Sequence, residues 1–312
     1  MSSDREALKA EFLKTAGLGD ARREKLAGDA STRSYERLHT PDGGSLIFMD
    51  QPPAAESAPC PPQATDAERR AAGYNAMARL AAGRVDAFIA TAGWLTAQGL
   101  SAPAVLAHDV PNGLAVLEDL GDDLFATLIA NGQDEAPLYD DAIDALVALH
   151  RASPPPVIEV HGVSWPLLSY DELALKTAGD LLPEWLPKLR TSLSFEDAAL
   201  SEWERIWAPI RVHGAASATV FCHRDYHAEN LIWLPERTGA ARVGLLDFQD
   251  AVRAHPAWDL SMLLHDARRD VSAEREAAAL ARYFAARPEL DRRAFLADYH
   301  ALGALNVSRI IG

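Results

Sequence analysis

Residues 219–234 read TVFCHRDYHAENLIWL, two apolar runs around a polar loop that holds His223, Asp225 and Asn230. A further apolar run at 243–251, VGLLDFQDA, carries Asp247 near its end. Two short strands joined by a turn would bring Asp225, Asn230 and Asp247 to one end of a hairpin. A carboxylate, an amide oxygen and a second carboxylate suit a hard cation such as Mg²⁺, which takes few protein oxygens and fills its shell with water and phosphate. This is the layout of phosphoryl transfer, in which an Asp orients the attacking hydroxyl while an Asn and an Asp hold metal against the nucleotide. By background composition, H-x-D-x-x-x-x-N arises by chance in roughly 1% of chains of this length. The competing reading is a surface loop with solvated polar side chains.

The chain around this motif has 312 residues, 48% hydrophobic and 24% charged, enough for one large domain or two lobes. No apolar run approaches the roughly 20 residues that span a bilayer. The charged, amphipathic start MSSDREALKAEFLK is unlike a secretory signal, so a cytoplasmic protein is expected. The formal net charge of −15 disfavours nucleic acid as a partner. Cys60 and Cys222 are too few for a disulfide framework and show no metal-ligand spacing.

Residues 3–16 predict a helix. Two β-rich runs, Arg33–Leu38 and Ser45–Asp50, flank the turn TPDGG. The small residues Gly28 to Thr32 form a loop at the mouth of that sheet. Prolines in QPPAAESAPCPPQ exclude helix and central strand. Helices are expected at about 66–82 and 85–98, and a further hairpin from PAVLAHDV, PNG and LAVLEDLG. Beyond Gly121 the apolar spacing is helical, interrupted only by two short strands around the opening motif. The fold class expected is α+β and bilobal: a sheet-bearing lobe over 1–118, a connector near 116–121, and a helical lobe over 119–312. Clefts between lobes are common ligand sites.

CHRDYHAENLIWL and LLDFQDA resemble the catalytic and metal-binding segments of the aminoglycoside-phosphotransferase and choline-kinase-like superfamily, which has a protein-kinase-like bilobal fold. DASTRSYERL, MDQPP, LEDLGDDLF, DAIDAL, PEW and WDLSMLLHDA extend the resemblance over about Asp29–Ala267, closest to the bacterial anomeric kinases of N-acetylmuramate and N-acetylglucosamine in cell-wall recycling. The resemblance implies ATP and Mg²⁺ as cofactors, Asp225 as catalytic base, and Asn230 and Asp247 as metal ligands. His223 would brace the catalytic loop and Asp259 in AWDL would buttress it. Glu118 to Leu120 would hydrogen-bond adenine through the backbone. A monomer acting on a small-molecule sugar, with no nucleic acid and no membrane, is implied.

One departure stands out. Kinase-like folds place a lysine on the third strand to grip phosphates, and SLIFMD has none. Arg33, after Ser31 and Thr32 in the small-residue loop, is the nearest substitute, because an Arg grips phosphate bidentately and backbone N–H groups with short hydroxyls cradle it. For the acceptor, Glu184 and Trp185 in LLPEWL offer a ring platform. Tyr226, His227, Glu229 and Asp250 offer hydrogen bonds, and Arg224 a partner for an anionic group. Each could equally be packing or surface. The readings left open are a sugar kinase, a kinase for an aminoglycoside, choline or homoserine, and a catalytically silent nucleotide-binding scaffold.

Overall fold

The computed structural model describes residues 2–26, 33–52, 59 and 61–311. Helix α1 (Ser2–Thr15) precedes an antiparallel sheet of β1 (Arg22–Lys25), β2 (Ser34–His39), β3 (Ser45–Asp50), β4 (Val105–Asp109) and β5 (Leu114–Glu118), in the order β1-β2-β3-β5-β4. The β2–β3 turn closes with Thr40 N–H on the Gly44 carbonyl at 2.9 Å, and Gly43 supplies the left-handed residue at φ 88°. Strand β1 was not expected: its sequence RREK is an exposed edge with no apolar alternation to read. The loop call at Gly28 to Thr32 lies outside the described residues, as does most of the proline-rich segment.

Strand alternation sends side chains to two different cores. Leu38, Phe48, Leu114 and Val116 pack against Leu8, Phe12 and Leu13 of α1. Met49, Ala115 and Leu117 face the opposite way, into the main core. Asp50, on the α1 side, is held by Arg5 at 3.1 Å and by buried Lys9 at 3.1 Å. Lys9 is therefore committed to the sheet face that Met49 turns away from.

Between β3 and β4 come α2 (Asp66–Ala72), α3 (Tyr74–Ala78) and α4 (Val85–Ala97). The single helix expected at 66–82 is thus corrected to two, broken at Gly73, whose φ of 100° no helix accommodates. Glu68 closes a capping box with Thr65. Arg69 is buried and grips Asp171 at 2.7 and 2.9 Å, tying this region to the helices beyond.

After β5, Arg37 of β2 binds both Asp119 and Asp122, each at 2.7 Å. Then follow α5 (Phe125–Ala130), α6 (Glu135–Arg151), β6 (Val157–Val160), β7 (Val163–Pro166), α7 (Glu172–Gly179), α8 (Leu181–Leu189) and α9 (Asp197–Ala216). The β6–β7 hairpin was not anticipated. It lies so close to α4 that a Cβ on Gly93 would stand 2.1 Å from Val160 Cγ1. The motif region holds four short strands rather than two: β8 (Val220–Cys222), β9 (Leu231–Trp233), β10 (Val243–Leu245) and β11 (Val252–Ala254). β9 pairs with β10, and β8 with β11, nesting one ribbon around the other. Helices α10 (Ala257–Leu264), α11 (Ala273–Ala286) and α12 (Arg292–Ile311) complete a bilobal α+β fold. No helix among the described residues is long and apolar enough to cross a membrane.

Candidate active site

The loop after β8 is shaped by a fully buried carboxylate. Asp259, on α10, accepts the backbone N–H of His223 at 2.7 Å and of Arg224 at 2.8 Å, and the Cys222 thiol at 3.1 Å. Arg224 takes the left-handed conformation at φ 80°, which turns the chain so that Asp225 faces outward. Such a conformation costs a non-glycine residue about 1–3 kcal/mol and needs surroundings that enforce it. Asp259 is that enforcement. The His223 ring is buried edge-on to Tyr226, with centroids 5.5 Å apart, and to Phe248. Burial pushes its pKa down and keeps it neutral.

A short 3-10 turn at Ala228–Asn230 leads into β9. The Asn230 amide nitrogen lies 2.9 Å from the Asp225 carbonyl and 3.1 Å from His227 Nε2. With both amide hydrogens committed, the oxygen is left as a hard donor. The pairing Leu231↔Leu245, extended by Leu246 N–H on the Asn230 carbonyl at 3.0 Å, brings Asp247 beside Asn230. Asp247 is also left-handed, at φ 58°. Its Oδ1 accepts Arg33 Nη2 at 2.9 Å and Gln249 Nε2 at 2.8 Å. A guanidinium already lies on this partly exposed carboxylate, so positive charge is favoured there. An amide oxygen and a carboxylate side by side fit Mg²⁺.

Asp225 Oδ1 accepts Arg309 Nη2 at 3.0 Å, from the last turn of α12. Burial alone would raise the Asp225 pKa. The Arg309 and Arg224 charges overcome it and bring the carboxyl down to about 2. Asp225 is therefore a carboxylate at any ordinary pH.

The other candidates divide. Ser31 and Thr32 lie outside the described residues. Glu118 N–H is taken by the Ala104 carbonyl at 2.8 Å and its carboxylate by Arg237. The backbone of Leu120 makes no hydrogen bond among the described residues. Tyr226 is corrected from acceptor contact to core: it is fully buried and its hydroxyl donates to the Ala142 carbonyl at 2.8 Å. Its side chain points inward because Asp225, its neighbour, points out. Arg224 is 2% exposed, with its guanidinium 4.9 Å from the Tyr170 ring centroid. Asp250 accepts Ala81 N–H at 2.6 Å, and burial raises its pKa. Glu229 pairs with Arg268 at 3.1 Å. Glu184 and Trp185 lie on the outside of α8 with Lys188, and no hydrogen bond, ion pair or ring contact among the described residues joins them to the motif. Arg309 was missed, although it is the one charged residue in the otherwise uncharged run 301–312.

A model of a phosphotransferase enzyme family matches residues 22–296. An N-acetylmuramate/N-acetylglucosamine kinase of Caulobacter vibrioides is 72% identical over 312 residues, covering 100% of this chain and 85% of that one. A kinase of the same name from Pseudomonas aeruginosa is 29% identical over 276 residues, 88% of this chain and 69% of that one. Among solved structures, the aminoglycoside phosphotransferase APH(3'')-Id of Streptomyces rimosus superposes with a TM-score of 0.53 at 20% identity, covering 96% of this chain and 98% of that one. The choline kinase LicA of Streptococcus pneumoniae gives 0.51 at 17%, over 98% and 91%. These two share the fold. With the family match running from β1 into α12 and across every residue of the buttressed loop and hairpin, this chain belongs to the phosphotransferase enzyme family.

Proposed function

We propose that the protein transfers the γ-phosphoryl group of ATP to the anomeric hydroxyl of N-acetylmuramate and N-acetylglucosamine, a step in the reuse of cell-wall amino sugars. The observation that carries this reading is the 72% identity, over the whole chain, to a kinase named for those two sugars. In the proposed arrangement the sheet-bearing lobe, 1–118, and the connector at 116–121 hold the nucleotide. The unused backbone groups of Leu120 are better placed to meet adenine than the Glu118 N–H, which is spent on the Ala104 carbonyl. The helical lobe, 119–312, presents the acceptor.

Asp225 has a second carboxylate oxygen to receive the sugar hydroxyl. A carboxylate this strongly ion-paired is a weak base, so its main contribution is to align the hydroxyl with the phosphorus; the proton follows as the new bond forms. That division suits a loose phosphoryl-transfer transition state, and an anomeric hydroxyl, more acidic than an ordinary alcohol, asks less of its base. Asn230 and Asp247 would hold Mg²⁺, which neutralises charge on the β- and γ-phosphates. Arg33 stands where the missing third-strand lysine leaves a deficit, its guanidinium on Asp247. Exchanging that carboxylate for phosphate oxygens would let it serve in the lysine's place. The test is to incubate the protein with MgATP and each sugar and follow products by ³¹P NMR. An acid-labile sugar 1-phosphate is the expected product; phosphorylation elsewhere on the ring, or turnover only of a non-sugar alcohol, overturns the assignment.

A further inference from the structure

Two of the arginines at the site lie on different carboxylates. Arg33 lies on Asp247, the carboxylate on the nucleotide side, and Arg309 lies on Asp225, the carboxylate that faces the acceptor. Arg309 is held as a planar fork. Its Nε donates to Asn306 Oδ1 at 3.0 Å and its Nη2 to Asp225 at 3.0 Å, while Nη1 has no hydrogen-bond partner among the described residues. Beside it is a second set of unspent donors. Tyr170 is 1% exposed and Arg224 2%, and neither the Tyr170 hydroxyl nor the Arg224 Nε has a hydrogen-bond partner among the described residues. The Arg224 guanidinium lies 4.9 Å from the centroid of the Tyr170 ring.

Buried donors are normally satisfied, and leaving them so is costly. A protein of net charge −15 that gathers two guanidinium groups and an unpaired phenol beside its acceptor-facing carboxylate is built for an anion there. We infer that Arg309 is the specificity-determining residue for a carboxylate on the acceptor sugar: its free edge takes that carboxylate and thereby sets the reacting hydroxyl against Asp225. The inference rests on the sugar-kinase reading above and adds to it a discrimination between its two sugars, which differ by one lactyl carboxylate. Arg309, rather than the buried Arg224, presents the open edge. With a neutral sugar, Arg309 stays on Asp225. With a carboxylate-bearing one, it is shared with or drawn from Asp225, leaving more of that carboxylate for the hydroxyl.

The experiment is kcat and KM for N-acetylmuramate and N-acetylglucosamine on the full chain and on Arg309→Gln. A charge-assisted pair of this kind predicts that the ratio of the two kcat/KM values falls by about 10- to 100-fold, mainly through a higher KM for the carboxylate sugar. A ratio that does not move, with both sugars losing equally, overturns the inference and leaves Arg309 as a residue that merely orients Asp225. Arg309→Lys, which keeps the charge but not the fork, should lower the ratio by a smaller factor, and serves alone if the Gln variant does not fold. Failure of the sugar-kinase reading looks different: the unsubstituted protein would phosphorylate neither sugar.

Discussion

Asp225 illustrates how a residue can be legible while its setting is not. The sequence H-x-D-x-x-x-x-N followed by a strand and Asp247 is local, and a hairpin needs nothing distant to assemble it. The prediction at this scale is that Asp225→Asn lowers kcat by at least about 10³-fold, in line with the upper range for a positioned acid–base group. Comparable residual activity would remove Asp225 from its role. Arg33→Ala should raise KM for ATP by about tenfold while leaving KM for the sugar near its original value; unaltered ATP kinetics would show that the lost lysine is replaced by something else. Arg309 escaped the sequence reading because it is 84 residues from Asp225 in the chain. Tyr226 was misread for a subtler reason. In a loop, neighbouring side chains alternate between core and cleft, and composition does not say which parity faces out.

Elements with an apolar period were read well, and those without one were lost. β1 has no apolar residue, and β6–β7 is a short hairpin in a stretch dominated by helices. The break at Gly73 was overlooked because one glycine in a helical pattern reads as a tolerated cost rather than a turn. Gly93 in α4 is the reverse case: a glycine inside a helix that is there for its neighbour. Because a Cβ would meet Val160 at 2.1 Å, Gly93→Ala must push α4 and the β6–β7 hairpin apart. Overpacking of this kind costs about 1–3 kcal/mol, readable as a lower urea midpoint. An unshifted midpoint would mean that the hairpin moves freely.

At the scale of the molecule, the α+β class and the two lobes followed from where sheet patterns give way to helical ones. The packing of buried histidines had no signal in the sequence. Burial, helped by the nearby His213 and working against the pull of Asp298 at 3.3 Å, lowers the pKa of His255 from 6.5 to about 4. Burial also lowers that of His150, against the pull of Asp259. The unfolded chain binds these protons near pH 6.5 and the folded one only at lower pH, so stability is lost as pH falls through that window. For His255 the loss by pH 5 is about 2 kcal/mol. Urea melts at pH 7 and pH 5 measure it, and equal midpoints would contradict the burial of these rings in their neutral form. The clamp of Arg37 on Asp119 and Asp122 bears on movement as well. It ties the strip after β5 to strand β2, on the far side of β3, so Asp119 and Asp122 are joined to the sheet. Leu120, and whatever base rests on it, would travel with the strands as the cleft shuts. In the proposed reaction the nucleotide would then be the cargo, delivered to a waiting sugar.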